Sequence, residues 1–188
     1  CEAVDRNYLD SLAPLAQGLL QGAKAALDVG SGAGFPGIPL CVLAGEETRF
    51  VLVDSLGKRV AFLNEAIAEL RLNAEAVHAR MEDFARANRE RFDVATARAV
   101  APVGVLAELA LPALKRSGRL IAYKGPSAAQ EVAAAQNALR TLGGASAQIL
   151  PVPIPGRDWA HTLVVVQKIK ETPKQYPRKA GEPSRNPL

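Results

Sequence analysis

One stretch decides the fold: Ala-Ala-Leu-Asp-Val-Gly-Ser-Gly-Ala-Gly-Phe-Pro-Gly-Ile, residues 25 to 38. Its first residues predict a buried strand, and Gly30, Gly32 and Gly34 predict a tight turn where that strand ends. Glycine lets the backbone turn sharply and approach a ligand more closely than a residue with a Cβ allows. The stretch therefore predicts an α/β fold with a ligand site at the end of its first strand.

The charge of this turn distinguishes between two kinds of ligand. Asp28 lies two residues before the first glycine. Its carboxylate attracts the sulfonium and aminoacyl groups of S-adenosylmethionine, whereas it repels a pyrophosphate. We therefore predict S-adenosylmethionine as the cofactor, held by Asp28 and by the three glycines of the turn.

The same stretch permits two other interpretations. From Gly32 to Gly37 it matches G-x-G-x-x-G in the strand-to-helix context of a dinucleotide site, as in an NAD(P)-dependent Rossmann oxidoreductase. Pro36 and Pro39, however, crowd the helix start that such a site leaves to a phosphate. A glycine turn that binds no ligand is the third interpretation. The carboxylate in the strand favours the methyl donor.

Seven segments have the composition of strands, and helical periodicity separates the first five of them. Such an alternation predicts right-handed βαβ units and a doubly wound, mostly parallel, seven-stranded sheet. The predicted strands are residues 25–29, 49–53, 74–78, 92–97, 119–123, 147–152 and 162–168.

Length and charge define the expected organisation of the 188 residues. They predict one domain over residues 1–172, followed by a basic, proline-rich and extended tail over residues 173–188. The whole net charge of +4 is found between Lys168 and Leu188, where six basic residues face two acidic ones. A basic end on a neutral body indicates a polyanionic partner, and a tail that only aids solubility is the alternative. Because the chain opens without a methionine, we expect the start of the natural protein to be missing here.

The cysteines and the apolar segments indicate where the protein works. Cys1 and Cys41 are the only cysteines, and they form no C-x-x-C pair. This predicts a reduced, cytoplasmic setting and no metal site. No apolar stretch approaches the roughly 20 residues that span a bilayer, and no signal peptide is visible, so no membrane partner is expected.

Polar side chains follow the second and third predicted strands, at the sheet edge where such folds bind ligands. Asp54 can accept both hydroxyl protons of a ribose, and its alternative role is to cap the next helix together with Ser55. Met81 offers an apolar contact to an adenine, while Glu82 or Asp83 can bind its ring or amino donors. Acids at a helix start also serve the helix dipole, which is the alternative for these two residues.

Two cations follow the fourth and fifth strands. Arg98 suits a cofactor carboxylate, a phosphate or a guanine edge, unless it only pairs with an acid of the cleft such as Asp28 or Glu82. Lys124 would lie near the acceptor, and a solvated lysine is the alternative. The Asn/Asp-Pro-Pro-aromatic segment of amine methylases is missing here, and so is a cysteine for attack on a pyrimidine.

Several segments together resemble one bacterial family, RsmG, also called GidB. The resemblance covers nearly the whole chain and is most specific in the Phe-Pro-Gly-Ile-Pro and Asp-Ser-Leu-Gly-Lys-Arg segments. Members of this family usually have a longer helical region before the glycine turn, so the resemblance implies that the N-terminal helical part is truncated here. The similar segments are residues 27–40, residues 53–63, Arg98-Ala-Val, Lys124-Gly-Pro and Tyr176-Pro-Arg-Lys-Ala-Gly.

The resemblance implies a fold, a reaction and a set of contacts. The fold is that of a class I, Rossmann-like, S-adenosylmethionine-dependent methyltransferase. The reaction is methyl transfer to N7 of a guanine in 16S ribosomal RNA, with the free RNA or a small ribosomal subunit particle as substrate. Because N7 carries a lone pair, the reaction needs no general base, and no catalytic residue is assigned; Lys124 is a candidate substrate contact. A non-catalytic RNA-binding assembly factor on the same fold is the remaining alternative. The implied cofactor contacts are Gly30, Phe35, Met81, Glu82 and Arg98.

Overall fold

The computed structural model describes residues 4–154 and 156–188, so Cys1 lies outside the described residues. At its centre is a seven-stranded sheet with the order β3-β2-β1-β4-β5-β7-β6. The strands are β1 (Ala25–Val29), β2 (Arg49–Asp54), β3 (Ala74–His78), β4 (Phe92–Arg98), β5 (Leu114–Lys124), β6 (Gln148–Pro151) and β7 (Thr162–Gln167).

Helices cover both faces of this sheet and connect most of its strands. The chain also contains short 3-10 turns at Gly45–Glu47 and Leu111–Ala113, and a π-helical turn at Asp5–Leu9. The α-helices are α1 (Ala13–Ala16), α2 (Gly37–Ala44), α3 (Gly57–Glu69), α4 (Met81–Ala87), α5 (Val103–Ala110), α6 (Ala128–Ala134), α7 (Gln136–Leu142) and α8 (Glu182–Arg185).

The pairing of the strands confirms the predicted doubly wound, mostly parallel sheet. Strands β1 to β5 pair in parallel, whereas β7 runs antiparallel between β5 and β6. The strand order reverses next to β1, because β2 lies on one side of it and β4 on the other. The carboxyl ends of these three strands therefore form the crevice in which such sheets bind ligands.

Alternating side chains of β1 pack into the two hydrophobic layers on either side of the sheet. Leu27 and Val29 pack into the layer that contains α5, while Ala26 packs on the other face with Leu40 of α2. The period of two along a strand places Asp28 on the same face as Ala26. Asp28 is fully buried there, under the glycine turn.

The C-terminal segment differs from the extended tail that the sequence predicted. It packs against the body, with Tyr176 buried and Arg89 donating a hydrogen bond of 2.6 Å to the Tyr176 carbonyl. Lys168 is fully buried and pairs with Glu90 at 3.0 Å, so part of the basic charge is structural. Local composition indicates an extended tail, because the partners of this segment lie far away in the sequence. The domain limit at residue 172 stays a prediction.

The helices of the described residues fall short of the length and apolarity that a membrane span requires.

Candidate active site

The glycine turn passes closely against the loop that follows β4. Gly30 has a φ of +66°, and a Cβ on it would lie only 2.9 Å from Cγ2 of Val100. Gly32 and Gly34 also have positive φ values. A side chain at position 30 would meet both backbone strain and a clash. Glycine at position 30 therefore lets the turn pack directly against the Val100 side chain.

Asp28 supports the turn from behind. Its Oδ1 accepts a hydrogen bond of 2.7 Å from the Thr96 hydroxyl, and its Oδ2 accepts one of 3.3 Å from the Gly37 amide. Burial raises the pKa of Asp28 to about 6, although these hydrogen bonds and the charge of Arg98 act in the opposite direction. The sequence predicted a direct contact with the cofactor. The structure instead uses both carboxylate oxygens within the protein, so direct contact stays a prediction.

Asp54 links the turn to the end of β2. Its Oδ2 accepts a hydrogen bond of 2.9 Å from the Gly32 amide, and its Oδ1 accepts one of 2.9 Å from the Leu56 amide. Arg59 adds a contact of 3.4 Å to Oδ2. Asp54 thus holds the turn and the start of α3 together while one of its edges faces a cavity.

A cavity of about 240 Å³, here called the glycine-turn cavity, opens beside Gly30. It brings together five of the predicted cofactor contacts, from the ends of three strands. These are Gly30, Asp54, Ser55, Met81 and Glu82. The other walls are Val29, Val53, Ala79, Arg80, Val100, Ala101, Leu109 and Ser184.

A second cavity of about 500 Å³, here called the β4–β5 cavity, lies at the ends of those two strands. Arg98 and Lys124, both predicted from the sequence, belong to its walls. The remaining walls are Asn7, Asp10, Ala99, Tyr123, Gly125 and His161. The two cavities meet at one segment, because Arg98 and Ala99 line the second cavity and Val100 and Ala101 line the first.

Arg98 pairs with an acid of the cleft, as the alternative interpretation allows, and this acid is Asp10 of the N-terminal segment. Nη1 of Arg98 lies 3.6 Å from Oδ2 of Asp10, and its guanidinium stands 5.1 Å from the ring centroid of Phe35. Phe35 in turn contacts the Tyr8 ring edge to face, at 5.0 Å. Oδ1 of Asp10 also accepts a hydrogen bond of 3.0 Å from Nδ1 of His161. Phe35 and Arg98, two of the cofactor contacts that the resemblance implies, are therefore neighbours, and their contact with the cofactor stays a prediction.

Lys124 is part of a half-buried network. Its Nζ donates a hydrogen bond of 2.6 Å to the Ala101 carbonyl and lies 2.7 Å from Oε2 of Glu131. Burial alone would raise the pKa of Glu131, but the hydrogen bond and charge of Lys124 outweigh it and lower that pKa. The solvated lysine of the alternative interpretation is absent: Lys124 holds the segment between the two cavities.

The structure thus divides the predicted site residues into three sets. Five line the glycine-turn cavity, and Arg98 and Lys124 line the β4–β5 cavity. Asp28, Gly32, Gly34 and Phe35 line neither of them; they build the turn and its support. Sequence reasoning missed Asp10, His161 and Ser184, because no local motif marks them. Among the described residues, no group of His, Cys, Asp and Glu could hold a metal ion.

Solved structures share this fold, which defines the class. A parallel sheet with one antiparallel strand and a glycine turn after β1 is that of class I S-adenosylmethionine-dependent methyltransferases. One such enzyme from Aquifex aeolicus aligns with a TM-score of 0.64 and 18% identity, over 89% of this chain and 93% of that one. An rRNA methylase from Streptococcus thermophilus aligns with a TM-score of 0.58 and 17% identity, over 87% and 93%.

Sequence comparison gives the family within that class. Residues 2–154 match the family described as GidB, rRNA small subunit methyltransferase G. The ribosomal RNA small subunit methyltransferase G of Clostridium perfringens strain SM101 is 45% identical over 190 residues, which cover 100% of this chain and 79% of the relative. The corresponding protein of Clostridium botulinum strain Eklund 17B is also 45% identical over the same shares. The chain belongs to this family, and the resemblance found in its sequence is confirmed.

Proposed function

We propose that this protein transfers the methyl group of S-adenosylmethionine to N7 of a guanine in 16S ribosomal RNA. The observation that carries the proposal is the 45% identity to rRNA small subunit methyltransferase G over the whole chain. We also propose that the substrate is the 16S RNA, either free or within a small ribosomal subunit particle, and that the protein works in the cytoplasm.

The glycine-turn cavity fits the nucleoside part of the cofactor. Because Gly30 has no side chain, its backbone packs closely against Val100, and both residues line the cavity. Asp54 would accept hydrogen bonds from the ribose hydroxyls, in addition to those it receives from two backbone amides. The thioether of Met81 would pack on the adenine, next to the carboxylate of Glu82. When bound, S-adenosylmethionine supplies a methyl group activated by its sulfonium.

The β4–β5 cavity is where the acceptor guanine would enter. The segment of residues 98–101 lines both this cavity and the glycine-turn cavity. The methyl group of the cofactor and N7 of the guanine would therefore come together beside that segment. Arg98, held by Asp10 and Phe35, would bind the carboxylate of the cofactor, or a phosphate or the O6 edge of the guanosine. Orientation of this kind, with the reacting atoms about 3 to 3.5 Å apart, can supply roughly 7 to 11 kcal/mol.

The residues of the β4–β5 cavity also suit the positive charge that passes from the sulfonium to the purine during the reaction. N7 attacks with its own lone pair, so no side chain has to remove a proton. The purine becomes positively charged as the methyl group is transferred. The carboxylate of Asp10 lies in the wall of the cavity and is already fixed by Arg98 and His161. A preorganised negative group there would stabilise the developing cation.

The target guanine should lie in an unpaired or distorted segment of the RNA. N7 of a guanine faces the deep, narrow groove of A-form RNA, which a protein cannot enter. Exposed cations of the C-terminal segment would contact the phosphates around the target. These are Lys174, Lys179 and Arg185.

A labelled transfer experiment tests the proposal. Small subunits that lack the modification are incubated with the protein and S-adenosylmethionine carrying a labelled methyl group, and the RNA is then digested to nucleosides. We expect label in 7-methylguanosine, and free 16S RNA in a parallel reaction identifies the preferred substrate. Label in another nucleoside would contradict the N7 assignment. Binding of the particle without any transfer would favour the assembly-factor alternative.

A further inference from the structure

The C-terminal turn of the chain reaches the glycine-turn cavity. Ser184, in α8, is one of the residues that line it, although it lies far from the other wall residues in the sequence. Just before α8, the backbone amide of Gly181 donates a hydrogen bond of 2.6 Å to Oε1 of Glu82. Glu82 is itself a wall of the cavity and a predicted cofactor contact. The segment 181–185 is therefore tied directly to the adenine end of the site.

A buried ion pair holds this turn in place. Arg178 donates from Nε to Glu108 Oε1 at 2.9 Å and from Nη2 to Oε2 at 2.6 Å, and its backbone amide also reaches Oε1 at 2.8 Å. Glu108 lies in α5 and is only 1% exposed. Its hydrogen bonds and charge raise the pKa of Arg178 further. A bidentate pair of this kind fixes orientation as well as distance.

The chain on the other side of the ion pair is also anchored. Arg86, in α4, donates to the carbonyls of Pro177 at 3.0 Å and Arg178 at 3.2 Å. Since α4 begins with Met81 and Glu82, the same helix carries adenine contacts and holds the segment that covers them. The position of the turn is thus specified from two helices.

We propose that residues 181–185 form the outer wall of the S-adenosylmethionine site at its adenine end, and that Glu108 and Arg178 are positioning residues for this wall. The inference rests on the proposed function, because it takes the glycine-turn cavity as the cofactor site. The Ser184 hydroxyl supplies a donor and an acceptor to the purine edge. A bound cofactor would add contacts to a turn that two helices already hold, and so slow its local opening.

Calorimetry without RNA tests the wall directly. S-adenosylhomocysteine and S-adenosylmethionine are titrated into the wild-type protein, Arg178→Ala and Arg178→Lys. We expect at least an about tenfold rise in Kd for Arg178→Ala, equal to about 1.4 kcal/mol, and a smaller rise for Arg178→Lys. In methyl transfer, the KM for S-adenosylmethionine rises while kcat at saturating cofactor is kept, because the reacting atoms lie away from the adenine.

Lys168→Met is the matched control. It removes another basic residue that pairs with a glutamate, Glu90, at 3.0 Å, but it does not touch the cavity. We expect it to lower thermal stability and to leave both Kd values unchanged. If Arg178→Ala and Lys168→Met affect the Kd equally, Arg178 stabilises the fold only and the proposal is overturned.

Hydrogen exchange on the wild-type protein gives an answer that needs no variant. Saturating S-adenosylhomocysteine should slow exchange in the peptide that spans residues 178–185, relative to residues 136–142 in α7. Unchanged exchange in that peptide would overturn the wall. A wild-type protein that binds neither ligand would instead contradict the proposed function, so the two failures are distinguishable.

Discussion

Oδ2 of Asp28 and the backbone of Gly37 are in direct contact. The Gly37 amide lies 3.3 Å from Oδ2, and a Cβ added to Gly37 would lie 2.7 Å from the same oxygen. The strand carboxylate and the first residue of α2 therefore approach each other more closely than any residue except glycine would permit. This contact, and not the φ angle, is what requires a glycine at position 37.

Gly37→Ala should therefore loosen the glycine turn. The new methyl group has to displace a fully buried carboxylate that also holds Thr96. We expect a lower melting temperature and a weaker binding of S-adenosylmethionine, by at least about tenfold in Kd, or about 1.4 kcal/mol. Thermal unfolding and calorimetry measure the two effects.

Gly104→Ala is the control for this substitution. In α5 a Cβ on Gly104 would meet the nearest atom, Cβ of Ala138, at an ordinary 3.6 Å. Replacing glycine by alanine inside a helix stabilises it by roughly 0.5 to 1 kcal/mol. We therefore expect unchanged cofactor binding and an equal or higher melting temperature. Wild-type binding by Gly37→Ala would show that the turn tolerates the displacement.

Gly30→Arg should abolish cofactor binding while the fold is kept. The side chain would start 2.9 Å from Val100 Cγ2 and project where the glycine-turn cavity opens. Gly22→Arg is a matched control, because Gly22 also has a positive φ, +76°, but has open space around its Cβ. Circular dichroism should show that both variants are folded. Calorimetry should detect S-adenosylmethionine binding only for Gly22→Arg, and equal affinities would remove Gly30 from the site.

The sequence predicted the sheet well because its strands carry strong local patterns. The predicted bounds of β1 and β3 agree with Ala25–Val29 and Ala74–His78. The start of β5 was missed by five residues, since its first part, residues 114–118, contains polar residues and a glycine, and Ser117 has a φ of +72°. A pattern of alternating apolar residues cannot reveal a strand that begins in this way.

The candidate site was predictable only where its residues follow a strand. Asp54, Met81 and Arg98 are found in this way, because the topology brings strand ends together. The contacts of Glu82 with Gly181 and of Arg98 with Asp10 join residues far apart in the chain. No local composition encodes such pairs. Asp28 illustrates the same limit, since its position in the sequence indicates a charge near the turn but not the face on which it is buried.

The pH dependence of stability should report the burial of Asp28. Burial raises its pKa from 3.8 to about 6 in the folded protein, so the folded state binds this proton more tightly than the unfolded state does. Its contribution is therefore fully present below pH 3.8 and is lost as the pH rises to 6. Relative to Asp28→Asn, the wild-type free energy of unfolding should fall by about 2 kcal/mol from pH 4 to pH 7.

Urea unfolding at several pH values measures this difference, and Asp93→Asn provides a control of opposite sign. Burial alone would raise the pKa of Asp93, but hydrogen bonds from Lys115 and from the amides of Lys24 and Ala25 outweigh it and lower that pKa. The wild-type protein should thus gain stability relative to Asp93→Asn as the pH rises through the acidic range. A difference between wild type and Asp28→Asn that does not change with pH would contradict the assigned burial.

Exposed cations of the C-terminal segment should contribute to RNA affinity, and the salt dependence of binding should report their contacts with phosphates. Truncation is a poor test, because Arg178 and Tyr176 hold the segment to the body. A triple substitution of Lys174, Lys179 and Arg185 by Ser leaves these anchors intact. With about 0.7 counterions released per phosphate contact on single strands, the slope of log K against log salt should decrease by about 2. Filter binding to 16S RNA fragments between 50 and 200 mM salt, roughly the range over which such contacts lose their affinity, measures this slope.

Substituting Arg140, which lies on α7 and pairs with Asn137, should leave the slope unchanged. If the triple variant kept the wild-type slope, the segment would serve the cofactor site and the fold alone, and the RNA would be held by other cations of the protein.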